Sequence, residues 1–143
     1  QVFMAQPHYQ DQFRGLLGAT AWPGTLNVTV EGNDLIDYIA LRQLAGLDTL
    51  DVEDDVRESA KNVDTSGFQL HRIRGFLRDG VSFGGASAFL ATLRAGEESV
   101  PCAVLIPDLT RHIDVVELIS KEFLRERLSL SDGERVTLTL TTS

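Results

Sequence analysis

Short segments in which apolar and polar residues alternate recur along this chain, and they restrict its fold more than any other feature. Leu26, Val28 and Val30 alternate with polar residues, and a second strict alternation lies near the end of the chain. A period of two is what a β-strand with one buried and one wet face requires. The strand candidates are residues 25–30, 68–76, 87–94, 100–106 and 135–141. Glycine and Asp-Gly turn signals separate them, which favours a β-rich fold.

Helical spacing is confined to a few short stretches. Residues 7–18 place Tyr9 and Phe13 on one face and end at Gly18, a suitable C-terminal cap. Residues 36–47 have apolar spacing typical of a second helix, and residues 113–119 and 120–128 are also predicted to be helical. Many strands, little helix and a length of 143 residues predict one mainly β domain. We expect a small closed or partly open β-barrel with a few short helices.

An acidic stretch interrupts the β pattern between residues 48 and 67. We interpret it as a solvated surface excursion, part of a surface insertion at about residues 33–66 in a single domain of residues 1–143. It lacks the central glycine and the ligand spacing of a calcium-binding EF-hand loop.

Charge and composition exclude several classes of protein. The net charge is −8 and the cations form no cluster along the chain, so we expect no nucleic-acid partner. No apolar run is long enough to cross a bilayer, and the first residues do not resemble a signal peptide, so we expect a cytoplasmic protein without a membrane partner. The single cysteine, Cys102, lies in an apolar run and is expected in the core.

Familiar catalytic motifs do not occur in this sequence. Gly84-Gly85 is followed by no lysine and belongs to no six-residue glycine fingerprint, which excludes a P-loop or dinucleotide-binding loop. His8, His71 and His112 lack the spacing of zinc ligands, and no nucleophile elbow is found.

One short segment, Pro23-Gly24-Thr25-Leu26-Asn27, can carry metal chemistry. A strand places Thr25 and Asn27 on the same side, roughly 7 Å apart at the backbone. Both side chains end in neutral oxygens, and Mg²⁺ prefers oxygen ligands completed by waters and substrate phosphates. The pair therefore suits a cation that a polyphosphate brings with it, although a polar strand face explains the same residues.

A longer series of segments adds context to this pair. In chain order the series is Tyr9-x-x-x-Phe13, residues 23–27, Ile73-Arg74-Gly75-Phe76, residues 80–85, 102–107 and 110–112, Val116-Glu117-Leu118-Ile119, Leu124-Arg125 and residues 128–136. In order and spacing the series resembles the archaeal CTP-dependent riboflavin kinase family. The resemblance covers nearly the whole chain except residues 33–66, which are longer here than in compact members.

The resemblance implies a barrel of the riboflavin-kinase-like, cradle-loop type that converts riboflavin and CTP into FMN and CDP. It implies that Thr25 and Asn27 bind Mg²⁺ and that Thr110 and Glu117 contact the flavin. The spacing from Thr110 to Glu117 is one residue shorter than the family pattern. Glu117, expected on a short helix, is also the candidate catalytic base.

The resemblance further implies that residues 122–125, Glu122, Phe123, Leu124 and Arg125, bind the nucleotide. We expect them in the first turn of a helix capped by Ser120, where free backbone N–H groups can meet an anion. Arg125 can add a charge-assisted contact.

The chain departs from the family at its beginning. Members start with a strand and a Gly-x-Gly-x-Gly-like loop around the nucleotide, and Gln1, Val2 and Phe3 correspond to the residues just after that loop. Either the sequence is a fragment or part of the nucleotide site has been lost, leaving an open sheet edge. Two further hypotheses therefore stand beside the kinase: a flavin-binding or sensing domain without nucleotide binding, and a barrel used for protein–protein contact. The oligomeric state is not readable from the sequence.

Overall fold

The computed structural model describes residues 4–142, so Gln1, Val2 and Phe3 lie outside the described residues. This part of the chain is mainly β, with one curled antiparallel sheet, a separate hairpin and a few short helices. The helices are α1 (Pro7–Leu17), α2 (Gly32–Leu44), α3 (Asp54–Lys61) and α4 (Leu124–Arg127). The strands are β1 (Leu26–Thr29), β2 (His71–Ile73), β3 (Phe76–Arg78), β4 (Val81–Phe83), β5 (Ala86–Ala95), β6 (Glu98–Pro107), β7 (Val115–Ile119) and β8 (Thr137–Leu140).

The sheet is built around the long hairpin of β5 and β6. Its strand order is β1-β7-β6-β5-β2. Strand β8 also pairs with β5, on the same side as β2 but closer to the C-terminal end of β5. Among the described residues, β1 therefore forms one edge of the sheet, and β2 and β8 form the other. The prediction of a small barrel is confirmed in its partly open form, as a half-barrel.

Helices cover both faces of this sheet. On one face α2 packs against buried side chains of the strands, among them Phe89, Val104 and Leu118. On the other face Phe13 of α1 packs against a set of small residues that includes Ala88 and Ala103. Each fully buried large apolar side chain contributes roughly 1.5–3 kcal/mol, so both layers stabilise the sheet that carries the site.

Of the two helices predicted near the end of the chain, one was wrong and the other is shorter than predicted. Residues 113–119 contain β7, a strand rich in β-branched residues. Val116, Leu118 and Ile119 are buried while Val115 and Glu117 are half-buried, and apolar residues occur on both faces, so the sequence lacks the apolar–polar alternation that marks a half-buried strand. The second helix, α4, starts only at Leu124 and has just four residues. Glu122 and Phe123 therefore precede it, and the Glu122 N–H is bonded to Ser120 Oγ at 3.2 Å.

The segment between β1 and β2 is more ordered than predicted. The helix predicted at residues 36–47 is confirmed as α2, and α2 buries five consecutive residues from Tyr38 to Arg42. The acidic stretch contains α3, a helix that was not predicted, although its acidic residues are exposed as expected. Residues 68–76 form only the short strand β2 before the chain enters the β3–β4 hairpin.

Within residues 4–142, no helix combines the length and apolar character needed to span a bilayer.

Candidate functional site

Thr25 and Asn27 lie together at the beginning of β1. Thr25 Oγ1 donates a hydrogen bond to Asn27 Oδ1 at 3.0 Å, so the two side chains point to the same side as predicted. Asn27 is exposed and Thr25 is half-buried. Adjacent ligands of a Mg²⁺ octahedron with bonds of ~2.0–2.1 Å lie about 2.9 Å apart. The two oxygens therefore fit two neighbouring positions in such a shell.

Glu117 is directly opposite Asn27 in the sheet. The register of β1 and β7 pairs Asn27 with Glu117. Residues paired in this way project from the same face, with Cβ atoms about 4.5–5.5 Å apart. Glu117 thus lies on a strand, and the prediction that it lies on a helix was wrong.

The Glu117 carboxyl is half-buried, and this burial raises its pKa above the ordinary value because the charged form loses hydration. The charge of His112 acts in the opposite direction and lowers the pKa of Glu117. A carboxyl with a raised pKa is a better proton acceptor than an ordinary glutamate.

A small, solvent-open cleft of about 60 Å³ lies beside Thr25, and neither Asn27 nor Glu117 lines it. Gly24 and Thr25 form one wall, and residues 122–125 form the other. The structure therefore brings one of the two predicted metal ligands into the same cleft as all four predicted nucleotide-binding residues.

Residues 120–125 are held in place by hydrogen bonds and by one buried side chain. Ser120 Oγ donates to the Pro101 carbonyl at 3.0 Å, and the Trp22 N–H donates to the Ser120 carbonyl at 2.8 Å. Leu124 is buried in the core, which confirms packing as one of its roles. The segment is thereby tied to β6 and to the turn before β1.

The charged side chains of this segment already have partners. Arg125 forms an exposed ion pair with Asp132 at 2.8 Å, and Glu122 contacts Arg127 at 3.4 Å. Exposed pairs of this kind contribute little, about 0–1 kcal/mol, so a ligand can replace Asp132 beside Arg125 at small cost.

Thr110 lies on the loop between β6 and β7, outside the lining of this cleft. The loop is fixed near both ends. Two hydrogen bonds of 2.8 Å join Arg72 to the Asp108 carboxylate, and Arg42 donates to the His112 carbonyl at 3.2 Å. The Arg72 guanidinium holds the pKa of Asp108 below its usual value. Thr110 is therefore held between two anchored points.

Three residues of this region were not singled out by the sequence. Trp22 stacks on Phe123 with ring centroids 4.9 Å apart. Tyr38 and Arg42 of α2 are both buried, and Arg42 contacts the loop of Thr110 at the His112 carbonyl. Burial raises the pKa of Tyr38, with Glu117 adding to the rise and Arg42 opposing it. A signal did exist for these two, since an arginine four residues after a tyrosine falls on the same helix face.

Cys102 is confirmed as a core residue. It is buried, and burial raises the pKa of its thiol to about 12, which leaves it protonated and unreactive at neutral pH. In the part of the chain that the structure describes, no group of three His, Cys, Asp or Glu residues is placed to hold a metal ion.

Comparison with protein families gives one match over most of the chain. The matching model is named for CTP-dependent riboflavin kinases and described as "Domain of unknown function DUF120"; it matches residues 1–61 and 45–140.

Individual relatives agree with this match. The chain is similar to a riboflavin kinase of Thermoplasma acidophilum, with 30% identity over 96% of this chain and 50% of the relative. It is also similar to riboflavin kinases of Thermoplasma volcanium (30% identity, 99% of this chain, 51% of the relative) and Methanospirillum hungatei (31%, 97% and 51%). The chain thus spans about half the length of the curated relatives it matches.

Proposed function

Because the chain belongs to the CTP-dependent riboflavin kinase family, we propose that it phosphorylates riboflavin with CTP to give FMN and CDP. In this reaction the ribityl 5′-hydroxyl oxygen attacks the γ-phosphorus of CTP. The bond from that phosphorus to the β–γ bridging oxygen breaks, and CDP leaves with the electron pair. Little covalent chemistry is required of the protein, so catalysis rests on positioning and charge stabilisation.

Thr25 and Asn27 are the residues that hold Mg²⁺ in this proposal. Their neutral oxygens are 3.0 Å apart, and Thr25 also lines the cleft. Two neutral ligands bind the cation weakly by themselves, so the triphosphate supplies most of the negative charge. Mg²⁺ held by these two residues would supply positive charge to offset the charge that develops on the phosphate oxygens.

Glu117 is the residue we assign to the attacking hydroxyl. Its register opposite Asn27 and its raised pKa, which favours accepting the hydroxyl proton, support this assignment. Thr110 is assigned a contact with the flavin, on a loop that Arg72 and Arg42 hold at two points.

Residues 122–125 are assigned to the nucleotide because they form the cleft wall opposite Thr25. The helix that follows has only four residues. Side chains such as Arg125, rather than a helix N-terminus, must therefore provide the contacts to phosphate.

The observation that carries the proposal is the union of two distant parts of the chain. Pairing of β1 with β7 brings Asn27 opposite Glu117, and the same pairing places residues 122–125 across a cleft from Thr25. Transfer between a flavin and a nucleotide requires their binding residues to lie close together, and the pairing of β1 with β7 supports the proposal in this respect.

The direct test is product formation. Full-length protein is incubated with riboflavin and Mg²⁺ together with CTP, UTP, ATP or GTP in separate reactions, and FMN and the nucleoside diphosphate are separated by chromatography. We expect FMN and CDP in equal amounts with CTP. Absence of FMN with every nucleotide would refute the kinase, and tight flavin binding in that case would favour the sensing domain. FMN formed with ATP but not with CTP would refute the nucleotide assignment.

The cytoplasmic location of the protein stays a prediction.

A further inference from the structure

A second cleft lies between α1 and β2, and we call it the α1–β2 cleft. With a volume of about 430 Å³ it is several times larger than the cleft beside Thr25 and has the size of a small-molecule site. It is lined by one stripe of α1 and by two arginines at β2, namely His8, Asp11, Gln12, Gly15, Arg72 and Arg74. None of these residues is assigned to Mg²⁺, flavin or nucleotide, so the α1–β2 cleft needs an explanation of its own.

Local contacts hold the walls of this cleft in place. Arg72 and Arg74 are two residues apart at the end of β2, a spacing that places side chains of an extended chain on the same side. Gln12 fixes α1 against this segment, since its Nε2 donates to the Arg74 carbonyl at 3.0 Å and its Oε1 accepts from the Arg74 N–H at 2.7 Å. Gly15 adds no side chain, and a Cβ there would meet nothing within 4 Å. Both arginines therefore border one space that is open to a ligand.

The charge at the α1–β2 cleft is opposite in sign to that of the whole chain. The cleft and the residues paired with it contain Arg14, Arg72 and Arg74. Two aspartates balance them in part: Asp11 pairs with Arg14 at 3.2 Å, and Asp108 accepts two hydrogen bonds of 2.8 Å from Arg72. Among the residues that the structure describes, no carboxylate forms an ion pair with Arg74. One positive charge is thus in excess here, in a chain of net charge −8.

The two arginines determine the class of ligand. A guanidinium group donates a planar fork of hydrogen bonds that matches the oxygens of an oxyanion. Contacts with Ser87 Oγ at 3.1 Å and with Asp108 already hold Arg72 in one orientation, so little side-chain entropy is lost on binding. A carboxylate carries one negative charge, whereas a phosphate group carries close to two near neutral pH and can accept from both arginines. A phosphate group is therefore the ligand that suits this cleft.

Arg72 also connects the cleft to the loop of Thr110. Asp108 lies at the start of that loop, and its anchor is Arg72. The pair is partly exposed, with 49% of the Arg72 side chain and 34% of the Asp108 side chain accessible, and exposed ion pairs are easily exchanged. A phosphate dianion carries more charge than the Asp108 carboxylate and competes with it for the same guanidinium.

We propose that the α1–β2 cleft binds a phosphate group through Arg72 and Arg74, and that its occupation loosens the loop of Thr110. The binding site rests on geometry and charge alone. The effect of the loop on catalysis rests on the proposed function, through the flavin contact assigned to Thr110.

The first test is an NMR titration of ¹⁵N-labelled protein without riboflavin, nucleotide or Mg²⁺. Inorganic phosphate or ribose 5-phosphate is added at constant pH and ionic strength, with ribose and sodium chloride as controls. We expect saturable shifts of the Gln12, Gly15 and Arg74 amide signals with both phosphate compounds and with neither control. Tighter binding of the ester would identify a phosphorylated small molecule as the ligand, and equal affinity would identify the free ion. Absence of saturable shifts at these amides with both compounds would overturn the site.

Replacement of the unpaired arginine tests which residues hold the phosphate. Arg74→Gln should weaken phosphate binding by about 10- to 150-fold, the range for a hydrogen bond to a charged group. The matched control is Arg94→Gln, at an exposed arginine of β5 that does not line the cleft, and it should leave the affinity unchanged. An affinity that Arg74→Gln also leaves unchanged would contradict the proposal.

A pair of variants at Gly15 blocks the cleft without weakening the fold. Gly15→Glu places a carboxylate in the open space and should abolish phosphate binding, while the melting temperature should not fall because glycine is unfavourable inside a helix. Gly15→Ala improves the helix in the same way but leaves the cleft open, so its phosphate affinity should match that of the original protein. Equal affinities in the two variants would overturn the site.

Kinetics test the link to the loop of Thr110. At saturating CTP, phosphate should raise the KM for riboflavin at least about 5-fold with little change in kcat, the low end of couplings between sites. The same phosphate concentration should leave the KM of Gly15→Glu unchanged. A KM that responds equally in both proteins would refute the link and leave the site to the NMR result. Phosphate binding at the α1–β2 cleft without any FMN formation would refute the kinase and leave the site standing.

Discussion

At the scale of residues, the site depends on a few side chains placed by strand geometry. The period of two places Thr25 and Asn27 on one side of β1, and this part was predictable from the sequence. The position of Glu117 opposite Asn27 was not, because the register between β1 and β7 depends on contacts far apart in the chain. The stacking of Trp22 on Phe123 was hidden for the same reason.

Replacing Asn27 should separate chemistry from folding. Asn27→Ala removes one of the two oxygens assigned to Mg²⁺, and we expect kcat to fall at least about 100-fold, since the ion supplies several kcal/mol of charge stabilisation. Asn27 is exposed, so the melting temperature should stay nearly unchanged. Thr29→Ala, at the next exposed residue of β1, is the control. A fully active Asn27→Ala variant would refute the metal assignment.

The raised pKa of Glu117 predicts a pH-dependent stability. Burial favours the protonated form in the folded state, so the contribution of Glu117 is most favourable below its unfolded pKa and is lost as the pH rises through its folded pKa. Glu117→Gln, which stays neutral, should therefore gain stability relative to the original protein between acidic and neutral pH. Thermal melts of both proteins across this range measure the difference, and a constant difference would contradict the assigned cause.

At the scale of elements, strands were predicted correctly from the sequence where one face is exposed to solvent or where a long run of apolar residues marks the strand. The predicted segments 25–30, 87–94, 100–106 and 135–141 correspond to β1, β5, β6 and β8. The sequence failed to predict β7 because apolar residues occur on both of its faces and hide the apolar–polar alternation of a strand. It also missed α3, although acidic residues begin this segment and a lysine ends it, as the helix dipole favours.

The junction of β2, β5 and the loop after β6 predicts a requirement for glycine at position 85. A Cβ at Gly85 would lie 2.9 Å from Arg72 Nη2 and from the Ile73 carbonyl, and 3.0 Å from Asp108 Oδ2. Gly85→Ala must therefore displace the Arg72–Asp108 pair or the backbone, and we expect a loss of about 1–3 kcal/mol in the free energy of unfolding.

Gly84→Ala is the matched control, since a Cβ there meets nothing within 4 Å. Urea denaturation of both variants measures the effect. Equal stabilities for the two would show that the junction is not as tightly packed as the structure indicates.

At the scale of the whole molecule, the site joins parts of the chain separated by some ninety residues, from Thr25 to Glu117. The pairing of β1 with β7 holds them together, with the Trp22–Ser120 hydrogen bond beside it, so the site depends on a formed sheet. Leu118 belongs to both the sheet core and the site, because it is fully buried in the core and also lines the cleft.

Leu118→Ala should therefore weaken the fold and the cleft together. Truncation of a buried leucine leaves a cavity and destabilises by about 2–5 kcal/mol. Denaturation curves and CTP titration on the same samples report both effects. The exposed Leu109, truncated to alanine, should change neither. A Leu118→Ala variant as stable as the parent would contradict the core described here.

The most direct test of the central claim is a crystal structure of the protein with CDP, Mg²⁺ and riboflavin. The account predicts the ion ~2.0–2.1 Å from both Thr25 Oγ1 and Asn27 Oδ1, with the nucleotide in the cleft between Thr25 and residues 122–125 and the ribityl chain beside Glu117. An ion bonded to neither oxygen, or a nucleotide bound outside that cleft, would contradict it.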